Sequence, residues 1–218
     1  MLTFAEEIVL LILDGETGKL ANAGSPSVNH ALAGAVLMDL ALRLKIDTDL
    51  GKLVVVDSTP TGEEILDSYL ALIAATEQVY NVRYWVAVLA FSHGRAILDK
   101  ALSMLVKKGI LKLVEKKILR VFERRRYTVV DDTQEKEVKR RIINLLLSDE
   151  IPTPRDVVLI CLADTCELIP TILNAREAER LTPRIAQIRR LDLIGQAVFQ
   201  VVERLRSDIA KAMLLQPN

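Results

Sequence analysis

The stretch SPSVNHALAGAVLMDLALR, residues Ser25–Arg43, predicts a helix that is apolar on nearly every side. Ser25 suits the N-cap, and Pro26 suits the first helical position, where its missing N–H costs nothing. The only carboxylate is Asp39, so the helix has no solvent-facing stripe of normal width. Its apolar part is shorter than the roughly 20 residues that span a bilayer. We therefore expect it to be the buried central helix of a globular domain.

The composition indicates one mainly α domain spanning residues 1–218, since half of the residues are hydrophobic and only 4% are aromatic. Lys and Arg together equal Asp and Glu, so the formal net charge is zero. The average conceals an asymmetry along the chain. Residues 1–75 contain 11 acids and 4 bases, whereas residues 107–126 contain 9 bases and 2 acids. A local net charge of +7 predicts an anionic partner.

Capping signals and periodicity place further helices around the central one. Three pairs have the spacing of a capping box and predict helix starts: Thr3–Glu6, Thr61–Glu64 and Asp132–Glu135. Separate helices are also expected at residues 81–91, 92–108, 153–169, 175–181 and 183–190, with a long one at about 192–213. A short hairpin is expected over residues 45–56.

A protruding basic hairpin is predicted by two β-like runs, Ile110–Val114 and Ile118–Phe122, separated by Glu115-Lys116-Lys117. A third extended piece is expected at Tyr127–Val130, as a further candidate partner for this hairpin. The predicted anion-binding bases are Lys107, Lys108, Lys112, Lys116, Lys117, Arg120, Arg124, Arg125 and Arg126. Large apolar residues accompany them and predict contact with a membrane or with a second subunit: Val114, Ile118, Leu119, Val121 and Phe122.

Three interpretations of this basic segment remain open. One face of the hairpin could enter a membrane interface while its bases meet anionic lipid, at roughly 1 kcal/mol per base. A helix followed by a basic hairpin also resembles the wing of a winged-helix protein, whose bases contact nucleic-acid phosphates. The third interpretation is a solvated basic edge that keeps the strand from pairing with other chains, in a cytosolic protein-interaction module.

The residues that usually carry catalysis are sparse, and we expect no enzymatic activity, metal or cofactor. His30 and His93 are expected to serve packing, and Asp39 to serve as a capping or ion-pair partner. Cys161 and Cys166 are expected to be reduced core thiols, which favours the cytosol. The N-terminal apolar run has no basic lead, so it does not predict a signal peptide. Any membrane contact is expected to be peripheral, from the cytosolic face.

Six segments together resemble the Golgi phosphoprotein 3 family, in the family's order and over almost the whole chain. They are LTFAEEIVLLILD, ALAGAVLMDLALR, DSTPTGEEILD, RYWVAVLA, LVKKGIL and RDVVLICLADTCELI. The resemblance implies a mainly helical domain with a protruding β-hairpin that contributes to homo-oligomer contacts. In eukaryotic members it implies binding of the phosphatidylinositol 4-phosphate headgroup at the cytosolic face of the Golgi, with glycosyltransferase tails as clients.

The family's headgroup pocket, made by one tryptophan and three arginines, is matched only in part. The corresponding positions are Gly24, Ala33, Arg95 and Leu98, so the resemblance assigns anion binding to Arg95 alone. We expect little preference for phosphatidylinositol 4-phosphate over other anionic lipids of equal charge, because bidentate arginine contacts are lost. A shorter segment between Trp85 and Arg95, and a start directly on the domain, indicate a bacterial relative.

Overall fold

The computed structural model describes residues 1–49, 52–115, 125–165 and 167–190. The helices in these ranges are α1 Phe4–Ile12, α2 Pro26–Leu42, α3 Glu64–Ala74, α4 Val82–Val88, α5 Gly94–Lys107, α6 Thr133–Leu147, α7 Pro154–Thr165, α8 Ile169–Ile172 and α9 Ala175–Arg189. Two antiparallel hairpins accompany them, β1 Ile46–Asp49 with β2 Lys52–Val55, and β3 Leu111–Glu115 with β4 Arg125–Val129. The mainly α class and the short hairpin within residues 45–56 are confirmed.

The central position of α2 is confirmed. The Ser25 hydroxyl accepts a hydrogen bond from the Val28 N–H at 3.3 Å, so Ser25 caps the helix as predicted. Every residue from His30 to Leu40 is buried. The helix is packed against α1, α3, α4, α5 and α7, which explains why no stripe of its surface needs to be polar.

Helix α1 is the second buried helix, and its predicted capping box is confirmed. The Glu6 N–H donates to the Thr3 hydroxyl at 3.3 Å, and the Thr3 N–H donates to the Glu6 carboxylate at 2.7 Å. All nine residues of α1 are buried, including Glu6 and Glu7. The helix therefore brings two carboxylates into the core, which must be matched by cations.

The other two predicted capping boxes are wrong. Thr61 donates both its N–H and its hydroxyl to the Asp67 side chain at 2.6 Å. Thr61 therefore does not cap α3, and Glu63 takes the N-cap position. At α6, the Asp132 side chain makes no capping bond, and Asp131 accepts from the Thr133 N–H instead. At α3, Asp67 takes the Thr61 N–H that the box would use, whereas at α6 Asp131 accepts from the Thr133 N–H, which lies outside the predicted box.

Helices α4 and α5 are continuous, although the sequence predicts two separate helices. A π-helical turn, Leu89–His93, joins them. Gly94, the first residue of α5, lies against Asn29 of α2: a Cβ on Gly94 would come within 2.7 Å of the Asn29 Cγ. Glycine at this position therefore allows α5 to approach α2 closely without a break in the helix.

Helix α9 is also continuous, so the two helices predicted at residues 175–181 and 183–190 are in fact one. Pro183 lies inside it and removes the hydrogen bond to the carbonyl of Glu179. Glu179 is exposed, so water can satisfy that carbonyl. The helix predicted at residues 192–213 lies outside the described residues.

The partner of β3 is β4, which overlaps the third extended piece expected at Tyr127–Val130. Leu111 pairs with Val129 and Glu115 with Arg125. The run Ile118–Phe122, predicted as the second run of the hairpin, lies outside the described residues, so its pairing stays a prediction. Residues 116–124 connect β3 to β4.

Candidate functional site

The two faces of the β3–β4 hairpin differ in character. Side chains that are directly opposite in the register lie on one face. One face carries Leu111, Leu113, Tyr127 and Val129, of which Leu111 and Tyr127 are buried in the core. The other face carries Lys112, Val114, Arg126 and Thr128, with Lys112 and Thr128 exposed. At its base, the hairpin therefore packs its apolar face on its own domain and turns bases outward.

The free edge of β4 is covered by the loop after α1. The Tyr127 N–H donates to the Gly18 carbonyl at 3.1 Å. Gly18 has φ +66°, and a Cβ there would lie 2.6 Å from the Tyr127 carbonyl oxygen. Only glycine fits this approach, so Gly18 fixes the base of the hairpin to the body and protects one strand edge.

The predicted anion-binding residues at the end of α5 are already engaged with carboxylates. Lys108 Nζ lies 2.7 Å from Glu6 Oε1, which is buried. Lys107 Nζ lies 3.7 Å from Glu64 Oε2, and both side chains are mostly exposed. The hydrogen bond from Lys100 lowers the pKa of Glu64. Lys108 thus pairs with the buried Glu6 carboxylate of the α1 capping box, whereas Lys107 makes only an exposed, weak ion pair with Glu64.

Arg95 is not brought together with the hairpin bases. It is mostly exposed and bonds Asp99, with Arg95 Nε 3.1 Å from Asp99 Oδ2. Helix geometry separates Arg95 from Lys107 by about 18 Å along α5 and about 120° around its axis. The structure thus places the predicted residues on two surfaces, one at each end of α5.

The positions that correspond to the family's headgroup pocket are occupied differently here. Ala33 and Leu98 are fully buried, in α2 and α5. Gly24 is exposed at φ +82°, with no atom within 4 Å of a Cβ placed on it. Two positions that would hold arginines are therefore part of the apolar core.

Of the remaining predicted site residues, most lie outside the described part of the chain: Lys116, Lys117, Ile118, Leu119, Arg120, Val121, Phe122 and Arg124. For Arg125 the structure describes the backbone, in β4. The described members of the predicted hairpin surface are Lys112, Val114 and Arg126, and these three share one face.

A buried charge network at the start of α1 was not predicted. Glu7 lies 3.0 Å from Arg141 and 2.9 Å from Arg155, which come from α6 and α7. Asp39 accepts from the Phe4 N–H at 2.7 Å and lies 3.7 Å from Arg155. We call these four residues, with Glu6 and Lys108, the α1 charge network. The signal in the sequence was the pair of carboxylates within the apolar run of α1.

Burial dominates the ionisation of this network. It raises the pKa of Asp39 to about 6, against the lowering effects of the Phe4 N–H and Arg155. Burial also raises the pKa of Glu7, although both arginines lower it. A cavity of about 470 Å³ opens beside the network, between α6, the start of α7 and the N-terminus. On its wall, Glu7 is paired with Arg141 and Arg155, and Arg141 is also paired with Asp156, so the network ties helices together.

The residues considered for catalysis have structural surroundings. His30 is buried, with Nδ1 2.6 Å from the Pro26 carbonyl, and burial lowers its pKa. His93 packs edge-on against Tyr69, and Cys161 is buried in α7. Asp39 serves as the capping and ion-pair partner that was predicted. Among the described residues, no cluster of His, Cys, Asp and Glu is arranged to hold a metal ion.

No helix among residues 1–49, 52–115, 125–165 and 167–190 is both long and apolar enough to cross a bilayer.

Comparison with known proteins agrees with the resemblance. The chain is 26% identical over 212 residues to Vacuolar protein sorting-associated protein 74 of Eremothecium gossypii, covering 82% of this chain and 63% of that relative. It is 28% identical over 167 residues to the protein of the same name from Schizosaccharomyces pombe, covering 67% and 49%. A VPS74-like protein of Dictyostelium discoideum is 26% identical over 183 residues, covering 78% and 68%.

The chain thus spans about half to two thirds of the length of the two fungal relatives. The model of the Golgi phosphoprotein 3 (GPP34) family matches residues 4–205, nearly the whole chain. The chain belongs to the Golgi phosphoprotein 3 family.

Proposed function

We propose that this protein is a non-catalytic, peripheral binder of anionic membrane surfaces, and that the basic hairpin makes the contact. The observation that carries the proposal is the outward face of the hairpin, where Lys112 and Arg126 lie side by side with Val114 and Thr128. No carboxylate lies on this described face. Five further bases lie in residues 116–125, between or within its strands.

Membership of the Golgi phosphoprotein 3 family also supports a role at membranes. The names of the fungal relatives describe proteins associated with vacuolar protein sorting. A role of this chain in membrane traffic, with protein clients held at a cytosolic membrane face, follows as part of the proposal. In this proposal the hairpin, rather than a membrane-spanning helix, holds the protein at the membrane.

Vesicle flotation of the full chain tests the proposal at low salt. We expect recovery with phosphatidylcholine vesicles that contain phosphatidylserine, and much less with phosphatidylcholine alone. The double variant Lys112→Glu, Arg126→Glu should bind at least about tenfold more weakly, since each base near the surface contributes about 1 kcal/mol. The matched control is Arg176→Glu, Arg180→Glu, which reverses two exposed charges on α9. Equal recovery with both vesicles would overturn the proposal.

The nucleic-acid interpretation is an outcome of the same design. A duplex-DNA mobility-shift assay in the same buffer should give no shift at protein concentrations that saturate the vesicles. A shift that disappears in the Lys112→Glu, Arg126→Glu variant, without vesicle binding, would assign the hairpin to nucleic-acid phosphates instead.

Selectivity among lipids is expected to be low. The positions of two pocket arginines are occupied by the buried Ala33 and Leu98, and bidentate recognition of a phosphate depends on such arginines. Lys100, another cation near Arg95, is bonded to Glu64 and Ser68. We expect equal affinities for phosphatidylinositol 4-phosphate and phosphatidylserine vesicles matched in surface charge. A clear preference for the phosphoinositide would contradict this part of the proposal.

We also propose that the hairpin mediates self-association. The edge of β3 opposite β4 is covered by no strand within the described residues, and Leu113 beside it is partly exposed. Light scattering should give a mass above that of the monomer for the full chain, and the monomer mass after deletion of Val114–Phe122. A full chain that is monomeric at high concentration would exclude self-association.

A further inference from the structure

An apolar ridge lies on the surface where α4 joins α5. Tyr84 and Phe91 are exposed, and Val88 between them is half-buried, at spacings of four and three residues. Phe91 is the most exposed aromatic side chain among the described residues, at 70%. Single exposed apolar residues are ordinary, but several in a row mark an interaction surface. We call Tyr84, Val88 and Phe91 the π-turn ridge.

The π turn holds Phe91 in its exposed position. Phe91 lies in the middle of the turn Leu89–His93, where the wider backbone carries one more residue than an α-helical turn. Beneath it, the His30 ring meets the Phe91 ring edge-on, with centroids 5.4 Å apart and an interplanar angle of 88°. His30 is itself fixed by its contact with the Pro26 carbonyl. Phe91 therefore stands on a rigid base and projects from it.

The charges around the ridge favour an anionic partner. Residues 82–107, which form α4, the π turn and α5, contain four bases and one acid. Arg83 and Arg95 are exposed and flank the ridge in sequence, and the single acid, Asp99, is bonded to Arg95. The other two bases, Lys100 and Lys107, share one carboxylate, Glu64 of α3. Aromatic side chains flanked by arginines are typical of the boundary between the apolar and polar parts of a bilayer.

We propose that the π-turn ridge is a second membrane contact, at which the Phe91 ring enters the interface of an anionic bilayer while Arg83 and Arg95 stay at the headgroups. The inference rests on the membrane binding proposed above and adds a contact separate from the hairpin. The ridge precedes α5 and the hairpin follows it, so the two contacts lie about 24 Å apart along this helix. A convex ridge suits a deformable bilayer better than a preformed protein pocket.

Tryptophan fluorescence of the full chain tests the contact. Phe91→Trp places a reporter on the ridge, and Ile151→Trp places one at a position that is 92% exposed outside it. The native Trp85 is buried and supplies a constant background. With phosphatidylcholine–phosphatidylserine vesicles, we expect a blue shift and quenching by brominated phosphatidylcholine for Phe91→Trp only.

The alanine variants give the size of the contribution. Phe91→Ala should bind these vesicles about fivefold to twentyfold more weakly, from the apolar area lost, and Ile151→Ala should bind as the unchanged chain does. Vesicle binding without quenching of Phe91→Trp would overturn the ridge contact and leave the hairpin contact standing. Loss of flotation for every form of the chain would overturn the proposed function, and the ridge contact with it.

Discussion

The start of α1 and the basic hairpin use charged side chains in opposite ways. In the α1 charge network, Glu6 and Glu7 are buried and each lies within 3.0 Å of a cation from another helix. On the outward face of the hairpin, Lys112 and Arg126 lie opposite Thr128 and Val114, and the described residues place no carboxylate between them. The first arrangement holds helices together, and the second leaves charge available to a partner.

The comparison shows that charge counted along the sequence does not give charge available at the surface. The first third of the chain has seven more acids than bases, yet several of these acids are paired within the protein. Two of the partners, Lys107 and Lys108, belong to the basic segment itself. The acidic third is therefore a poor receptor for the basic hairpin of a second copy.

The largest effect is expected from breaking the α1 charge network. Glu7→Gln leaves Arg141 and Arg155 without their shared carboxylate in a mostly buried site, and should lower the free energy of unfolding by about 3 kcal/mol. Urea unfolding at neutral pH measures it. Asp99→Asn removes the exposed Arg95 pair and should cost less than about 1 kcal/mol. Equal losses in the two variants would mean that burial does not set the strength of these pairs.

A smaller effect is expected where the loop after α1 holds the hairpin. Gly18→Ala adds left-handed strain and a clash with the Tyr127 carbonyl, and should cost about 2 kcal/mol. Gly24 also has a positive φ, but no atom lies within 4 Å of a Cβ placed there. Gly24→Ala should therefore cost only about 1 kcal/mol. Hydrogen exchange at the Tyr127 amide should accelerate in Gly18→Ala alone. Unchanged exchange there would show that the loop does not hold the hairpin.

The sequence predicted the parts of the fold that local chemistry decides. The all-round apolar pattern of residues 31–42 can be satisfied only by burial, so the central helix was predictable with its Ser25 cap. The Thr3–Glu6 box was also right: both of its bonds form, while Asp39 takes the neighbouring Phe4 N–H and not a donor of the box. Asp39 was predictable as a paired carboxylate because an apolar helix leaves it no other stable state.

Local spacing fails where a side chain outside the predicted box decides. Asp67 took the Thr61 N–H that the Thr61–Glu64 spacing assigned to a capping box, and the Asp132 side chain makes no capping bond at α6. The docking of Tyr127 on the core and on Gly18 likewise lies outside any local pattern. For the candidate site, spacing did not show that Lys108 points to Glu6, 102 residues away, or that Arg95 faces a different surface.

Lowering the pH sharpens the comparison, because burial raises the pKa of Asp39 in the network to about 6. The folded-state pKa of Asp39, about 6, lies above the ordinary value of 3.8, so folding favours the protonated form. Lowering the pH from 7 to 5 should therefore raise the free energy of unfolding, by about 1 kcal/mol from this residue. Asp39→Asn keeps the acceptor for the Phe4 N–H and removes the titration. In urea unfolding, the free energy of unfolding of the unchanged chain minus that of Asp39→Asn should rise as the pH is lowered from 7 to 5. A difference that does not change with pH would contradict this prediction.

The smallest effect on stability is expected on the hairpin. Lys112→Glu with Arg126→Glu reverses two charges that contact no carboxylate across the strands, so the free energy of unfolding should change by no more than about 0.5 kcal/mol. The same variant is the one expected to lose vesicle binding. A loss of stability comparable to that of Glu7→Gln would show that these bases serve the fold, as Lys108 does. Unchanged stability with weakened vesicle binding would assign them to a partner, because a charge that contributes nothing to folding is free to contribute to recognition.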